Sequence, residues 1–259
     1  MCLVLLALDT HPDYALVLAA NRDEFYDRPT APAAFWEDAP GVLAGRDLRA
    51  GGTWLGIDRL GRLAAVTNYR QGQRETPAPR SRGHLVSDYL TSQVDARAHV
   101  ARVERDAGLY NGFNLICGDA GGLTYFSNRE GPARALGPGV YGLSNHLLDS
   151  PWPKVTAGKN GLTALLSTGG GELLSSLFAL LSDHRQVADD LLPRTGVSPE
   201  WERLLSSAFI ASAEYGTRSS TVVLLGRDSR AQLVERTFGP GGTPGEEVRF
   251  EFDLAGRDG

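Results

Sequence analysis

The chain has 259 residues, 42% hydrophobic and 22% charged, the balance of a globular protein able to bury a core of its own. Its net charge of −5 argues against a nucleic-acid or anionic-membrane partner, either of which calls for a basic surface. Two cysteines in so long a chain make no disulfide framework, so a reducing compartment is expected.

The opening run "CLVLLAL" is short, lacks a basic flank and is interrupted by Asp9 and His11, unlike an export signal. No segment approaches the ~20 apolar residues that cross a bilayer, and the expected location is cytoplasmic. "CLVLLALDT" is nearly all apolar, as a strand covered on both faces should be. "HPD" turns the chain and "YALVLAANRD" returns as the second arm of a hairpin. A Pro- and Ala-rich loop is expected from Pro29 to Pro40, followed by strand-like "GGTWLGID" and "LGRLAAVTN" around a turn at Asp58–Gly61. His84 to Asp106 has apolar residues three or four apart and reads as helical. "FNLICGD" and "LTYFSN" form a further hairpin, and "GVYGLSN" another strand. Trp152 to Leu181 reads as two helices broken at "TGGG", and Ser198-Pro199 opens a third as cap and first-turn proline. Three strands close the chain: "SSTVVLLG", "AQLVERTF" and "EVRFEFD". Strands and helices come in blocks, without the βαβ alternation of a parallel sheet. The expected class is therefore α+β, with antiparallel sheets packed face to face and helices outside, as one domain over residues 1–259.

Cys2 carries two readings. Cysteine is among the most buried residue types and packs as a small hydrophobe, which is the reading given to Cys117. If Met1 is removed, however, Cys2 bears a free α-amine, with a reference pKa of about 7.7–8.0, beside a thiol near 8.5. The amine can then accept the thiol proton and activate the sulfur against a carbonyl without a histidine. Among the polar segments, "NRDE" (Asn21–Glu24) is either a solvated hairpin end or part of a site. "GGTWLG" is either a glycine turn that buries Trp54 or a ligand contact close to the backbone. His146 follows Asn145 and is either a loop histidine or a site residue. The five histidines show no metal-ligand spacing and no Gly-x-Ser-x-Gly motif occurs, so neither a metal nor a serine triad is expected.

Taken in order, "MC", "NRDE", "GGTWLG", "TNYR" (Thr67–Arg70), "GLSN" (Gly142–Asn145) and "TRSST" (Thr217–Thr221) resemble the NRDE family, also called the transport and Golgi organisation protein 2 family. The resemblance covers essentially the whole chain. More distantly, the layout is similar to N-terminal-nucleophile (Ntn) hydrolases of the choloylglycine hydrolase and penicillin V acylase type. This implies a four-layer αββα sandwich opening on a cysteine. It also implies roles: Cys2 as nucleophile, Asn68 as oxyanion-hole donor, Asn145 orienting the terminal amine, and Arg218 lowering the thiol pKa and steadying negative charge. Donors of this kind are worth roughly 3 kcal/mol each. Arg22 and Asp23 complete the catalytic candidates, while Asn21, Glu24, Trp54, Tyr69 and His146 are candidate ligand contacts. The hydrolases separate their arginine and aspartate by two residues, whereas Arg22 and Asp23 are adjacent. Side chains alternate along a strand, so on regular geometry only one of the two can share the face of Cys2, unless a bulge intervenes.

Two functions follow from the resemblance. One is Cys2-dependent hydrolysis or transfer of an amide or acyl group on a small amphipathic substrate, requiring no cofactor. The other is a non-catalytic carrier of haem or of acyl-CoA and lipid ligands, since the family is associated with haem mobilisation and lipid handling. A haem site needs an apolar slot with an axial cysteine or histidine, for which Cys2 and His146 are the candidates.

Overall fold

The computed structural model describes residues 2–72, 78–168 and 172–256. In chain order its elements are β1 (Cys2–Leu8), β2 (Tyr14–Phe25), β3 (Thr30–Trp36), β4 (Ala39–Asp47), β5 (Leu55–Asp58), β6 (Leu63–Asn68), α1 (Gly83–Leu90), α2 (Ala96–Arg105), β7 (Phe113–Asp119), β8 (Gly122–Ser127) and β9 (Arg134–Leu136). Then come β10 (Gly139–Leu143), α3 (Pro153–Thr168), α4 (Leu173–Leu181), α5 (Pro199–Leu204), β11 (Tyr215–Gly226), β12 (Arg230–Phe238) and β13 (Pro244–Asp253). The strands form two antiparallel sheets, ordered β10-β1-β2-β11-β12-β13 and β3-β4-β5-β6-β7-β8-β9.

The unbroken apolar run of β1 has its reason in this layering. Val4, Leu6 and Leu8 point between the sheets and meet Leu43, Ile57, Leu63 and Ile116 of the second sheet. Leu3, Leu5 and Ala7 point the other way, onto Leu162 of α3 and Leu177 of α4. A strand covered on both faces has no solvated side to make polar, and each leucine so buried contributes about 2 kcal/mol. The second sheet is covered in turn by α1 and α2, whose Leu85, Tyr89 and Val100 pack on Val66, Leu115 and Cys117. The order of layers is therefore helix, sheet, sheet, helix. Cys117 lies in that outer core, where burial pushes its thiol up to about 12, in keeping with its packing role. As the sequence predicts, Ser198 caps α5, accepting from the Trp201 N–H at 3.4 Å.

One expectation needs correction. Pro29 to Pro40 is not a loop: β3 and the first residues of β4 run through it. Pro32 is tolerated because β3 is an edge strand whose register against β4 shifts between Ala31 and Ala34, so no ladder bond is asked of the proline. The short strand β9 was also not anticipated. The glycine interruption at 168–171 falls mostly outside the described residues. Among those residues, no helix is long and apolar enough to cross a membrane.

Candidate active site at the open end of the sandwich

Along β1 and β2 the positions facing between the sheets are Val4, Leu6 and Leu8 and, opposite them, Ala20, Leu18 and Leu16. Cys2 pairs with Arg22 one step further on the same face. There the apolar core ends and the sheets part into a cleft of about 630 Å³, which Cys2, Arg22, Glu24, Trp54, Asn68 and Arg218 help to line. The cleft thus continues the core with its inward positions turned polar. Among the described residues, seven of those that line it are arginines, in a chain whose net charge is −5.

The β10 end holds Cys2 by its main chain. The Cys2 N–H donates to Asn145 Oδ1 at 3.2 Å, and Ser144 Oγ donates to the Cys2 carbonyl at 2.9 Å. Asn145 Nδ2 donates to the Asn68 carbonyl at 2.9 Å, and the Arg70 N–H donates to the Asn145 carbonyl at 2.7 Å. Thr67 Oγ1 secures the adjoining Ser144 carbonyl at 2.7 Å. Cys2, Asn68 and Asn145 are therefore brought together by one continuous network, although the sequence separates Asn68 and Asn145 by 77 positions. Asn68 lines the cleft, and its side chain has no hydrogen bond to another described residue. Met1, on whose removal a free Cys2 amine depends, lies outside the described residues.

Arg22 and Asp23 part company as strand alternation requires. The β1–β2 register is regular, so Arg22 shares the Cys2 face and Asp23 points to the helix side. There the buried Asp23 carboxylate accepts from Thr217 Oγ1 at 2.8 Å. Burial pushes this carboxyl up, and the buried ammonium of Lys154 pulls it back. The bulge lies on β11 instead: Asp23 pairs with Thr217 and Arg22 with Ser219, leaving Arg218 as the extra residue. Arg218 does reach the cleft wall, but its guanidinium is engaged. Nη1 donates to the Phe25 and Arg28 carbonyls, both at 2.9 Å, and Nη2 to Thr30 Oγ1 at 3.2 Å. Burial pushes the Cys2 thiol up and the Asp23 charge adds to this, while Arg22 draws it down. Arg22 thus stands opposite Cys2 in the strand pairing, whereas the expected Arg218 has its guanidinium bound to Phe25, Arg28 and Thr30.

Three candidate ligand contacts are placed elsewhere. Asn21 shares the helix-side face with Asp23; its Nδ2 donates to the Leu181 and Ala208 carbonyls at 2.8 Å, and its Oδ1 accepts from Ser220 Oγ at 2.6 Å. It is a clasp between strand and helical layer. Tyr69 and His146 do not line the cleft. They bond each other at 2.9 Å, with His146 Nδ1 held 2.7 Å from Ser150 Oγ, and burial lowers the His146 pKa. Trp54 packs on the two core clusters, as the first of its readings expects, and also edges the cleft. The glycines before it serve the backbone: Gly51 has φ +79°, and a Cβ on Gly52 would stand 2.6 Å from the Gly83 carbonyl carbon.

Two buried groups escaped the sequence reading. Glu235 of β12 lines the cleft, accepting at Oε1 from the Ala33 N–H (2.7 Å) and at Oε2 from Thr221 Oγ1 (3.0 Å); burial pushes its carboxyl up. A signal existed, because Glu235 sits two residues beyond the inward-facing Leu233 in the same strand phase. Lys154, near the start of α3, is the other. One lysine in a helix's first turn gives no comparable signal.

The sequence profile of the Transport and Golgi organisation 2 family matches residues 1–240. The chain is 39% identical to the Transport and Golgi organization protein 2 homolog of Bos taurus, over 98% of this chain and 99% of that one. It is 31% identical to Transport and Golgi organization protein 2 of Drosophila melanogaster, over 92% of each. Among solved structures, it is similar to penicillin V acylase from Agrobacterium tumefaciens, with TM-score 0.54 and 14% identity over 98% of this chain and 86% of that one. A mutant conjugated bile acid hydrolase from Clostridium perfringens superposes with TM-score 0.52 and 9% identity, over 98% and 92%. At such identities the likeness is one of fold, and that fold is the Ntn-hydrolase sandwich. The chain belongs to the Transport and Golgi organisation 2 family.

Proposed function

We propose that this member of the Transport and Golgi organisation 2 family is an N-terminal-nucleophile amidohydrolase acting through Cys2 on a small amphipathic substrate. The observation that carries this reading is the hold on Cys2 at the cleft floor, its nitrogen 3.2 Å from Asn145 Oδ1 and Asn145 tied in turn to Asn68. After loss of Met1, that nitrogen becomes the α-amine. It takes the thiol proton, and the sulfur attacks the substrate carbonyl carbon. Negative charge gathers on the carbonyl oxygen, and in this reading the Asn68 amide and the Arg22 guanidinium, both in the cleft lining, receive it. The C–N bond then breaks as the amine returns its proton to the leaving nitrogen, and water resolves the thioester. Trp54 supplies an apolar wall and the arginines suit an acidic group on the substrate. The test is intact mass of the processed protein after exposure to an acylating thiol probe. The expected result is one acyl adduct on Cys2, absent in Cys2→Ala. An unmodified Cys2 together with no amide turnover would sink the proposal.

A second reading has its own observation. The same cleft, with Trp54 as an apolar wall and arginines around it, suits a carrier of acyl-CoA or other anionic lipid-like ligands. Of the two candidate haem ligands, Cys2 lines the cleft, whereas His146 is engaged by Tyr69 and Ser150. Titration of Cys2→Ala with a long-chain acyl-CoA separates the readings. Tight binding without turnover in the unmutated protein supports the carrier.

A further inference from the structure

Glu235 of β12 sits at the other end of the cleft from Cys2. Across the open end of the first sheet Cys2 pairs with Arg22, Arg22 with Ser219 and Ser219 with Thr237, and all four line the cleft. Glu235 comes two residues before Thr237, in the same strand phase and one step deeper, and lines the cleft too. Three strand spacings separate β1 from β12, a span of about 14 Å. The cleft therefore runs from the thiol to this carboxylate.

Glu235 is only 4% exposed. Its oxygens tie the two sheets together. Oε1 accepts from the Ala33 N–H at 2.7 Å, where the register of β3 against β4 shifts, and Oε2 accepts from Thr221 Oγ1 at 3.0 Å. Both donors are neutral, and a glutamine would meet them without taking a charge out of water, so the tie alone does not account for a carboxylate. Gly45 of β4 borders it with no side chain of its own to fill the space. Among the described residues Glu235 forms no ion pair. Of the arginines in the lining, Arg28, Arg46 and Arg80 are paired with Asp47, Asp38 and Asp106. Arg82 and Arg218 donate to main-chain carbonyls, and Arg49 is exposed. Arg22 acts on Glu235 without contact. A buried carboxylate at the wall of a ligand-sized cavity is thus left without a counter-ion in contact with it.

We propose that Glu235 is a cation subsite, which receives a protonated amine at the end of the substrate opposite the scissile carbonyl. This rests on the amidohydrolase reading and gives its substrate a direction, with the carbonyl oxygen towards Arg22 and the ammonium against Glu235. The ammonium donates to the lone pairs that Ala33 and Thr221 leave open, and it supplies the counter-charge in a charge-assisted bond.

The experiment titrates Cys2→Ala, which lacks the nucleophile, with ω-aminodecanoyl p-nitroanilide and with decanoyl p-nitroanilide near neutral pH, reading affinity by calorimetry. The extended chain of the amino probe matches the span from Cys2 to Glu235. It should bind at least about 10-fold more tightly than the plain probe. Adding Glu235→Gln should abolish that preference without lowering the thermal midpoint. Equal affinity for the two probes, binding of neither, or a preference that survives Glu235→Gln overturns the proposal. Glu235→Ala replaces the glutamine variant if that does not fold, and failure of both to fold assigns the carboxylate to the fold and overturns the proposal too. Release of p-nitroaniline by the processed, unmutated protein is measured separately. A preference for the amino probe with no release of p-nitroaniline and an unmodified Cys2 sinks the amidohydrolase reading and leaves the subsite standing. Turnover of both probes with no such preference removes only the subsite.

Discussion

Cys2 and Arg22 stand directly opposite one another across the β1–β2 pairing, on the face that opens into the cleft. The acidic neighbour of Arg22, Asp23, is turned through the sheet to Thr217. The Arg22 charge draws the Cys2 thiol down and the Asp23 carboxylate pushes it up, while the Asp23 main-chain N–H draws it down.

Arg22→Leu should raise the pH midpoint of Cys2 alkylation by roughly half a unit to one unit, because a cation near the thiolate is lost. Arg218→Leu should act mainly on stability. It leaves the Arg28 carbonyl without its side-chain donor and the Phe25 carbonyl with the Arg28 N–H alone, at a cost of about 1–2 kcal/mol read by urea unfolding. A larger alkylation shift from Arg218 than from Arg22 would contradict this assignment.

Asn68 and Asn145 should separate activity from stability. Asn68→Ala is expected to slow acylation of Cys2 by about 100-fold or more with little change in thermal midpoint, since its amide has no bond to lose among the described residues. Asn145→Ala should lower both, because that amide joins the Cys2 nitrogen to the Asn68 carbonyl. Equal melting temperatures for the two variants would count against this difference.

Asn21→Ala should cost about 2–4 kcal/mol of stability, by stranding the Leu181 and Ala208 carbonyls and the Ser220 hydroxyl in buried surroundings. Its effect on ligand affinity should be small once the protein is folded, as binding titration below the melting temperature would show.

Glu235 makes stability depend on pH. Its carboxyl is raised above the ordinary 4.5 by burial, so the folded protein binds the extra proton and stability falls as pH rises from about 4.5 through the raised value. Glu235→Gln removes that dependence. The variant's advantage in urea midpoint should be greatest at neutral pH and vanish towards pH 4.5. A gap independent of pH would show that the carboxyl titrates normally.

The layered architecture was legible because it rests on local patterns. An unbroken apolar β1, the blockwise order of strands and helices, and the Ser198 cap each state a requirement that few neighbours meet. β3 was missed because proline and alanine are loop residues unless an edge and a register shift accommodate them, and both of those are tertiary facts. Among the site residues, Cys2, Asn68 and Asn145 were named by motif and meet in one network, although nothing local binds Asn68 to Asn145. Asn21, Tyr69 and His146 share those motifs yet turn away from the cleft, for neighbouring positions in a chain need not share a face.

The sequence by itself determined which segments pair and which residue types reach the open end of the sandwich, because burial and strand periodicity are written residue by residue. Only the tertiary structure decided that Arg22 faces Cys2 while Arg218 is bound to Phe25, Arg28 and Thr30, and that Lys154 and Glu235 are buried. Those outcomes turn on a single bulge, on the register of one strand pair, and on the cost of removing a charge from water, and none of these is set until the two sheets and their helices have closed.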